Sequence, residues 1–476
     1  MNNKFYITTA IDYVNAPPHL GHAMEKIQAD AIARYQRLLG KDVYFLSGAD
    51  EHGIKIARAA KEQNKDIKKF TEENTEKFKK LLKDLDISID DFIRTSDQKR
   101  HWPGARKLWG KLVEAGGIYK SKYKGYYCVG CEGYVTEKDL IDAKCPYHLK
   151  EPEIIDEENY FFRLSKYAKE IESRIKNQEL RIIPETRKNE VLEMIEAGIE
   201  DISFSRPTEK LEGWGIPVPG DEKQLMYVWC DALVNYISSL GYGIDEKKMD
   251  FWPADLHVIG KDILRFHTII WPAMLLSAKL ALPKTILAHG FVLSEGKRMS
   301  KTLGNVIDPF DLITEYGTDA VRYYFLREMT PFEDGDITLE KFKEAYNANL
   351  ANGLGNLTSR VMKMSEQYLK NEDYKKLAPY KNEVFYSGFM ENFELNKAMD
   401  LIWQKISEMD LKIQKTQPFK LIKTDEKKAK EILRELVSGL QQIATMLKPF
   451  LPSTSEKILK AIEVNKMPEP LFLRVA

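Results

Sequence analysis

The chain has only four cysteines in 476 residues, too few for a disulfide framework to organise a protein of this length. No apolar run approaches the roughly 18–20 residues a membrane span needs; the most apolar stretch, 268–283, is broken by Pro272 and Lys279. The first residues, MNNKFYITTAIDYV, have no apolar core of signal-peptide length. Net charge is missing too, since 72 Lys+Arg balance 72 Asp+Glu, and there is no low-complexity tract. These absences predict a cytosolic protein that folds throughout.

The length suits two or three domains, each with its own core. Charge is distributed unevenly: residues 341–476 hold 23 Lys+Arg against 17 Asp+Glu. That excess permits a polyanionic partner on the C-terminal part, and it is also within what a solvated helical surface carries.

Residues 5–11 and 42–46 read as short strands rich in β-branched and aromatic residues. Between them Leu20, Met24, Ile27, Ala31, Tyr35 and Leu38 recur at helical spacing, with Gly40 as the stop. This is a βαβ unit, whose strands are parallel and whose ligands bind beyond the carboxyl ends, at 12–22 and 47–53. A second set spans 255–292: strand LHVIG, a helix from Asp262 to about Lys279, and strand TILAHGFV. The fold class is therefore α/β, a Rossmann-type parallel-sheet domain in two halves, 1–116 and 225–293. Residues 117–224 read as an insertion between them. Residues 294–345 form a connecting region with a basic loop, and 346–476 form an α-helical bundle. Its helices are expected at 339–369, 392–415, 426–447 and 454–464, with Pro418, Pro449 and Pro452 in the connections.

Chemistry concentrates in the loops. Pro17-Pro18-His19-Leu20-Gly21-His22 opens the first helix. A phosphate chain there meets unpaired N–H groups, two imidazoles can add donors, and Gly21 admits close approach; capping alone would also account for the histidines. Residues 296–305 read GKRMSKTLGN, a basic loop 275 positions after Gly21, in which Arg298 and Lys301 can neutralise charge on a departing pyrophosphate. Cys128-X2-Cys131-X13-Cys145-X2-His148 supplies two close pairs of ligands suited to one tetrahedral structural zinc with no open position.

The two loops, in this order and in these βαβ settings, resemble the HIGH and KMSKS motifs of class I aminoacyl-tRNA synthetases. Here they stand as HLGH and RMSKT. Asp50-Glu51-His52-Gly53 resembles the DEHG segment of the methionyl-tRNA synthetase family, which implies that Asp50 holds the substrate amine. Residues 227–236 (YVWCDALVNY) resemble the family's YVWxDA segment, and Gly260-Lys261-Asp262 through Trp271-Pro272 its GKDI…FH…WP segment. The resemblance implies a methionine pocket formed by Ile11, Tyr13, Trp229, Ala232, Leu233, Tyr236, Phe266, His267 and Trp271, with ATP contacted by His19, Gly21, His22, Gly260, Asp262 and Lys301. Aromatic walls suit a flexible thioether.

Asn356-Leu357-Thr358-Ser359-Arg360 resembles the family's anticodon-reading N-L-x-x-R stretch, implying Asn356 and Arg360 as base contacts. Where relatives have Pro-Trp this chain has Pro418-Phe419, so Phe419 takes the stacking position with less ring surface. Relatives with one knuckle commonly use four cysteines, so His148 departs from their pattern. The resemblance spans essentially the whole chain to Leu471-Phe472-Leu473-Arg474, and with no dimerising OB-fold beyond it a monomer is expected. It implies ligation of methionine to tRNA(Met) through methionyl-adenylate, with Mg-ATP as substrate and one structural zinc. Two rivals are another class I synthetase and a non-catalytic tRNA-binding relative. The roughly 108 residues of 117–224 are short for the editing insertion of branched-aliphatic enzymes, and intact His19, His22 and Lys301 oppose a non-catalytic role.

Overall fold

A computed structural model describes residues 3–130, 133–135, 137, 140–146, 149–299, 305–370 and 384–475. The chain forms two compact units, one from residues 1–18, 41–81 and 89–289, the other from 19–40, 82–88 and 290–476. Among the described residues no helix is long and apolar enough to cross a membrane.

The first unit is built on a seven-stranded parallel sheet. Its path runs Asp12–Tyr13, Asp42–Asp50, Lys4–Thr9, Leu256–Gly260, Thr285–His289, Arg181–Ile183, with Asp91–Arg94 also pairing with Asp42–Asp50. Ile7 stands opposite both Phe45 and Leu256. Neighbours in sequence lie to one side of Lys4–Thr9 and to the other side of Leu256–Gly260. The strand order therefore reverses between these two, which is where open α/β sheets bind ligands. Both strands are buried throughout except Lys4, as expected of a sheet covered on both faces.

Several elements depart from the sequence-based expectation. The first strand ends at Thr9, and the second continues to Asp50 instead of stopping at Leu46. The helix expected from Asp262 is not one regular helix. A 3₁₀ turn at Lys261–Ile263 and a π turn at Phe266–Ile270 precede the α-helix Trp271–Ser277. A π turn rotates the side chains that follow it relative to an unbroken helix, and such turns often carry functional residues.

Within the stretch expected as an insertion, Ile118–Cys128 and Glu153–Phe162 form a long antiparallel pair, part of a four-stranded sheet. The chain then returns to the main sheet, where Arg181–Ile183 pairs in parallel with Thr285–His289 as the edge strand. Strand TILAHGFV also divides: Thr285–His289 ends it.

In the second unit Val292–Ser294 belongs to a separate three-stranded sheet. A Cβ at Gly290 would stand 2.1 Å from the Glu333 carbonyl, so glycine is required where that chain passes. The expected long helix from 339 is Leu339–Ala345 and Asn356–Tyr368 joined by a π stretch over Tyr346–Gly355. Leu395–Thr416, Glu426–Leu447 and Pro452–Val464 complete the main bundle. Along Glu426–Leu447 the buried set Ala429, Leu433, Leu436, Leu440, Ile443 and Leu447 follows the 3.6-residue period.

A fully buried ion pair, Arg322 Nη2 to Asp30 Oδ2 at 2.7 Å, ties helix Leu20–Leu38 to Thr318–Tyr323. Arg322 also donates to the carbonyls of Phe450 (2.7 Å), Pro449 (3.1 Å) and Leu85 (3.2 Å). Burial opposes charge on Asp30, but Arg322, Arg34 and the hydrogen bonds from Ser88 outweigh it and hold the carboxyl below its usual range.

Candidate active site

At the carboxyl ends of the first unit's strands the backbone sets side chains in a fixed order. Asp12–Tyr13 pairs beside the end of Asp42–Asp50, placing Tyr13 opposite Asp50 in register. The Asp50 carboxylate is buried and accepts from the His52 backbone N–H (3.3 Å) and Thr95 Oγ1 (3.4 Å). Next to it Glu51 is wholly buried and takes Arg94 Nε (2.8 Å) and Thr75 Oγ1 (2.6 Å). A Cβ on Gly48 would stand 2.7 Å from Ile11 Cγ2 and 2.3 Å from the Ile93 carbonyl, so only glycine lets Ile11 lie against this strand.

Most of the predicted pocket residues of the second half come together; Ala232 is buried in the turn Val228–Ala232 but is not part of the core they share. Trp229 lies flat on Phe266, centroids 3.7 Å apart, and meets His267 edge-on at 6.2 Å. Tyr236 Oη is 2.7 Å from His267 Nε2, and His267 Nδ1 is 3.0 Å from the Ile263 carbonyl. A carbonyl only accepts, so Nδ1 carries a proton and, in the neutral ring, Nε2 accepts from the tyrosine. Trp271 packs 6.0 Å from Tyr236. Ile11, Tyr13, Trp229 and Phe266 are partly buried against the same core that encloses Leu233, Tyr236 and Trp271. The result is a wall of ring faces with few polar atoms, suited to a polarisable apolar group. Asp262 is exposed at the end of Leu256–Gly260. A Cβ at Gly260 would stand 2.7 Å from its carboxylate, so the glycine leaves room for that side chain to fold back.

Sequence reasoning gave no role to two residues of this region. His257 packs beneath Tyr236 at 4.3 Å, hydrogen-bonds Thr8 Oγ1 at 2.7 Å and is kept neutral by burial, which pushes its pKa well down with a further contribution from His267. Asp231 is buried between two imidazoles, His52 Nδ1 at 2.5 Å and His101 Nε2 at 2.7 Å. Its residue type was visible in YVWCDA, but its partners lie 179 and 130 positions away.

In the second unit His19 and His22 cap helix Leu20–Leu38. The His19 N–H donates to His22 Nδ1 and the Gly21 N–H to His19 Nδ1, each at 3.1 Å. The rings stack at 3.8 Å. With both Nδ1 atoms accepting, the neutral tautomer carries its proton on Nε2, so capping and donating are compatible. Gly21 leaves room for this stack, since a Cβ would stand 3.0 Å from the His19 ring and push it aside.

Arg298 lies on the hairpin Val292–Ser294/Lys297–Arg298 with its guanidinium 4.2 Å from the Phe291 ring. Asn305 Nδ2 donates to the carbonyls of Ser294 (3.3 Å) and Arg298 (3.4 Å), closing the stem of the basic loop. Lys301 lies outside the described residues.

Of the expected zinc ligands, Cys128 ends strand Ile118–Cys128, and the Cys145 carbonyl accepts from the Leu149 N–H at 2.8 Å. Both are buried; Cys131 and His148 lie outside the described residues. Among the described residues no group of three or more His, Cys, Asp or Glu gathers as a metal site. In the helical part Asn356 is exposed, Arg360 pairs with Asp410 at 2.7 Å, and Phe419 is 42% exposed on the short helix Pro418–Leu421.

This parallel sheet, with its polar carboxyl-end loops, matches a family model described as tRNA synthetases class I (M) over residues 5–152 and 134–362. A second model, the anticodon binding domain of methionyl tRNA ligase, matches residues 362–471. The class is that of the class I aminoacyl-tRNA synthetases. The chain is 40% identical to a methionine–tRNA ligase of Thermotoga maritima, over 98% of this chain and 76% of the relative. It is 42% identical to one from Rickettsia conorii, over 98% and 94%. The structure of Mycobacterium tuberculosis methionyl-tRNA synthetase in complex with methionyl-adenylate superposes with a TM-score of 0.87 at 34% identity, covering 99% of both chains. The chain belongs to the methionine–tRNA ligase family.

Proposed function

We propose that this chain activates L-methionine with ATP and transfers it to the 3′-terminal adenosine of tRNA(Met). A methionine carboxylate oxygen attacks the α-phosphorus of ATP in line, the bond to the β-phosphate oxygen breaks, and pyrophosphate leaves. The terminal ribose hydroxyl of tRNA then attacks the carbonyl of methionyl-adenylate and AMP leaves. Neither step needs a protein nucleophile, so the protein's work is positioning and charge neutralisation.

Asp50 takes the ammonium group. Ile11, Tyr13, Trp229, Ala232, Leu233, Tyr236, Phe266, His267 and Trp271 enclose the thioether. His19, Gly21 and His22 with Arg298 and Lys301 act on the phosphates of Mg-ATP, and Gly260 and Asp262 contact the nucleotide. Asn356, Arg360 and Phe419 read the anticodon; Asp410 holds Arg360 in place for this. The observation that carries the assignment is the aromatic wall of Trp229 and Phe266, in the same core as Tyr13, which stands in register with the acidic strand end at Asp50.

One structural zinc suits the knuckle. Among the residues from 128 to 150 whose burial is described, only Cys128 and Cys145 are buried, so thiols occupy the place an apolar core would hold. Cys128, Cys131, Cys145 and His148 would bind the ion, which supplies a cross-link and no catalysis. The protein works as a cytoplasmic monomer.

Methionine-dependent exchange of pyrophosphate into ATP tests the assignment. Exchange stimulated by methionine and not by leucine, isoleucine, valine or cysteine is expected. Binding of tRNA without any exchange would leave the non-catalytic reading standing. Lys301→Ala should cut adenylate formation far more than methionine binding.

A further inference from the structure

Asp231 is a carboxylate with 1% of its side chain exposed, set between two imidazoles that are themselves buried. Its Oδ2 faces His52 Nδ1 at 2.5 Å and its Oδ1 faces His101 Nε2 at 2.7 Å, while His101 Nδ1 is 2.8 Å from Ser238 Oγ. A carboxylate this deep is costly unless every oxygen is satisfied. The arrangement satisfies them from two directions, and the direction matters.

Residues 50–52 are held from their own half of the sheet by Arg94 and Thr75 on Glu51 and by Thr95 on Asp50. Asp231 holds them from the other half, two residues after Trp229 in the helical turn Val228–Ala232. The His52 ring is oriented by Asp231, and the backbone N–H of the same residue donates to Asp50 Oδ1 at 3.3 Å. The bond between His52 and Asp231 therefore joins the acidic strand end to the turn that carries the aromatic wall.

We propose that Asp231 is a positioning residue for the amino-acid substrate: through His52 it sets the Asp50 carboxylate at a fixed reach from the Trp229–Phe266 wall, so that one ligand satisfies its ammonium and thioether ends together. This rests on the methionine assignment given above. Positioning through an outer layer of hydrogen bonds is how sites keep sub-ångström tolerance, and the cost of losing it falls on the substrate whose two ends must be matched.

The test is a double-mutant cycle read by calorimetric methionine Kd, with ATP KM from exchange as control. Asp231→Asn should weaken methionine at least tenfold and leave ATP KM within twofold. In an Asp50→Asn background the same change should add less than threefold, because its route to the ligand is already cut. An unchanged methionine Kd in Asp231→Asn, or full additivity with Asp50→Asn, overturns the proposal. Should Asp231→Asn fail to fold, His52→Leu and His52→Asn replace it. The asparagine amide puts an N–H where Nδ1 stands and should recover at least half of the loss caused by leucine; no recovery overturns the proposal. A wild-type chain without methionine-dependent exchange would end the functional assignment and this proposal with it, whereas an active wild type with an additive pair ends this proposal alone.

Discussion

The Trp229 and Phe266 rings lie 10° from parallel at 3.7 Å, although 37 positions separate them and the second is the first residue of a π turn. Each ring keeps the other flat, so either truncation should open the wall. Trp229→Ala is expected to raise the methionine KM at least tenfold, about 1.4 kcal/mol, with ATP KM little changed. Steady-state exchange kinetics check this, and equal losses for both substrates would place Trp229 elsewhere than in an amino-acid pocket.

His22 caps helix Leu20–Leu38 and, in the proposed mechanism, also donates to a phosphate. Replacing it with alanine removes the acceptor of the His19 N–H, at about 1 kcal/mol for a helix cap, and one phosphate donor, for which about 10²–10³ in kcat is typical of an oxyanion contact. His22→Asn keeps a capping acceptor. Thermal unfolding should therefore recover in the asparagine variant while exchange stays low; recovery of both would reduce His22 to a cap.

Asp30 and Arg322 form a buried pair whose disruption leaves an uncompensated charge. Asp30→Asn should destabilise the protein by about 3–5 kcal/mol at neutral pH. The folded-state pKa of Asp30 lies below its unfolded value, so this stabilisation is complete above the ordinary carboxylate range and fades as pH falls through the folded pKa. Denaturant unfolding of wild type and variant should converge as the solution is acidified. A gap that stays constant down to acid pH would mean that the charge of Asp30 contributes nothing.

Arg360 is held by Asp410, whose carboxyl burial raises above its usual range while Arg360 pulls it back. Arg360→Ala should raise the tRNA KM for aminoacylation by tenfold or more and leave methionine-dependent exchange intact. Asp410→Ala should do the same more weakly, since it frees the guanidinium without removing it. Loss of exchange in either variant would argue for a folding role.

Metal analysis of purified protein should return one zinc per chain, lost in Cys145→Ala. In His148→Ala an unchanged stoichiometry and affinity would remove His148 from the ligand set.

Local signals were strong where structure is local. Helix Leu20–Leu38 was legible in place and extent, because its apolar spacing, histidine cap and following Gly40 agree. Strand Leu256–Gly260 and helix Glu426–Leu447 were legible for the same reason. Arg181–Ile183 was not: three residues carry too little pattern to announce an edge strand, and its partner lies about a hundred positions on. The π turn at Phe266–Ile270 was hidden by a sequence whose apolar spacing also fits a regular helix.

The motifs HLGH, DEHG, YVWCDA and RMSKT pointed to the family, since backbone loops at strand and helix ends need particular residue types at short spacing. The linear chain carried no trace of which distant groups meet: Asp231 with His52 and His101, Asp30 with Arg322, Arg360 with Asp410. Such pairings depend on where folding puts side chains that neither spacing nor composition relates, and burial then decides how strongly each is held.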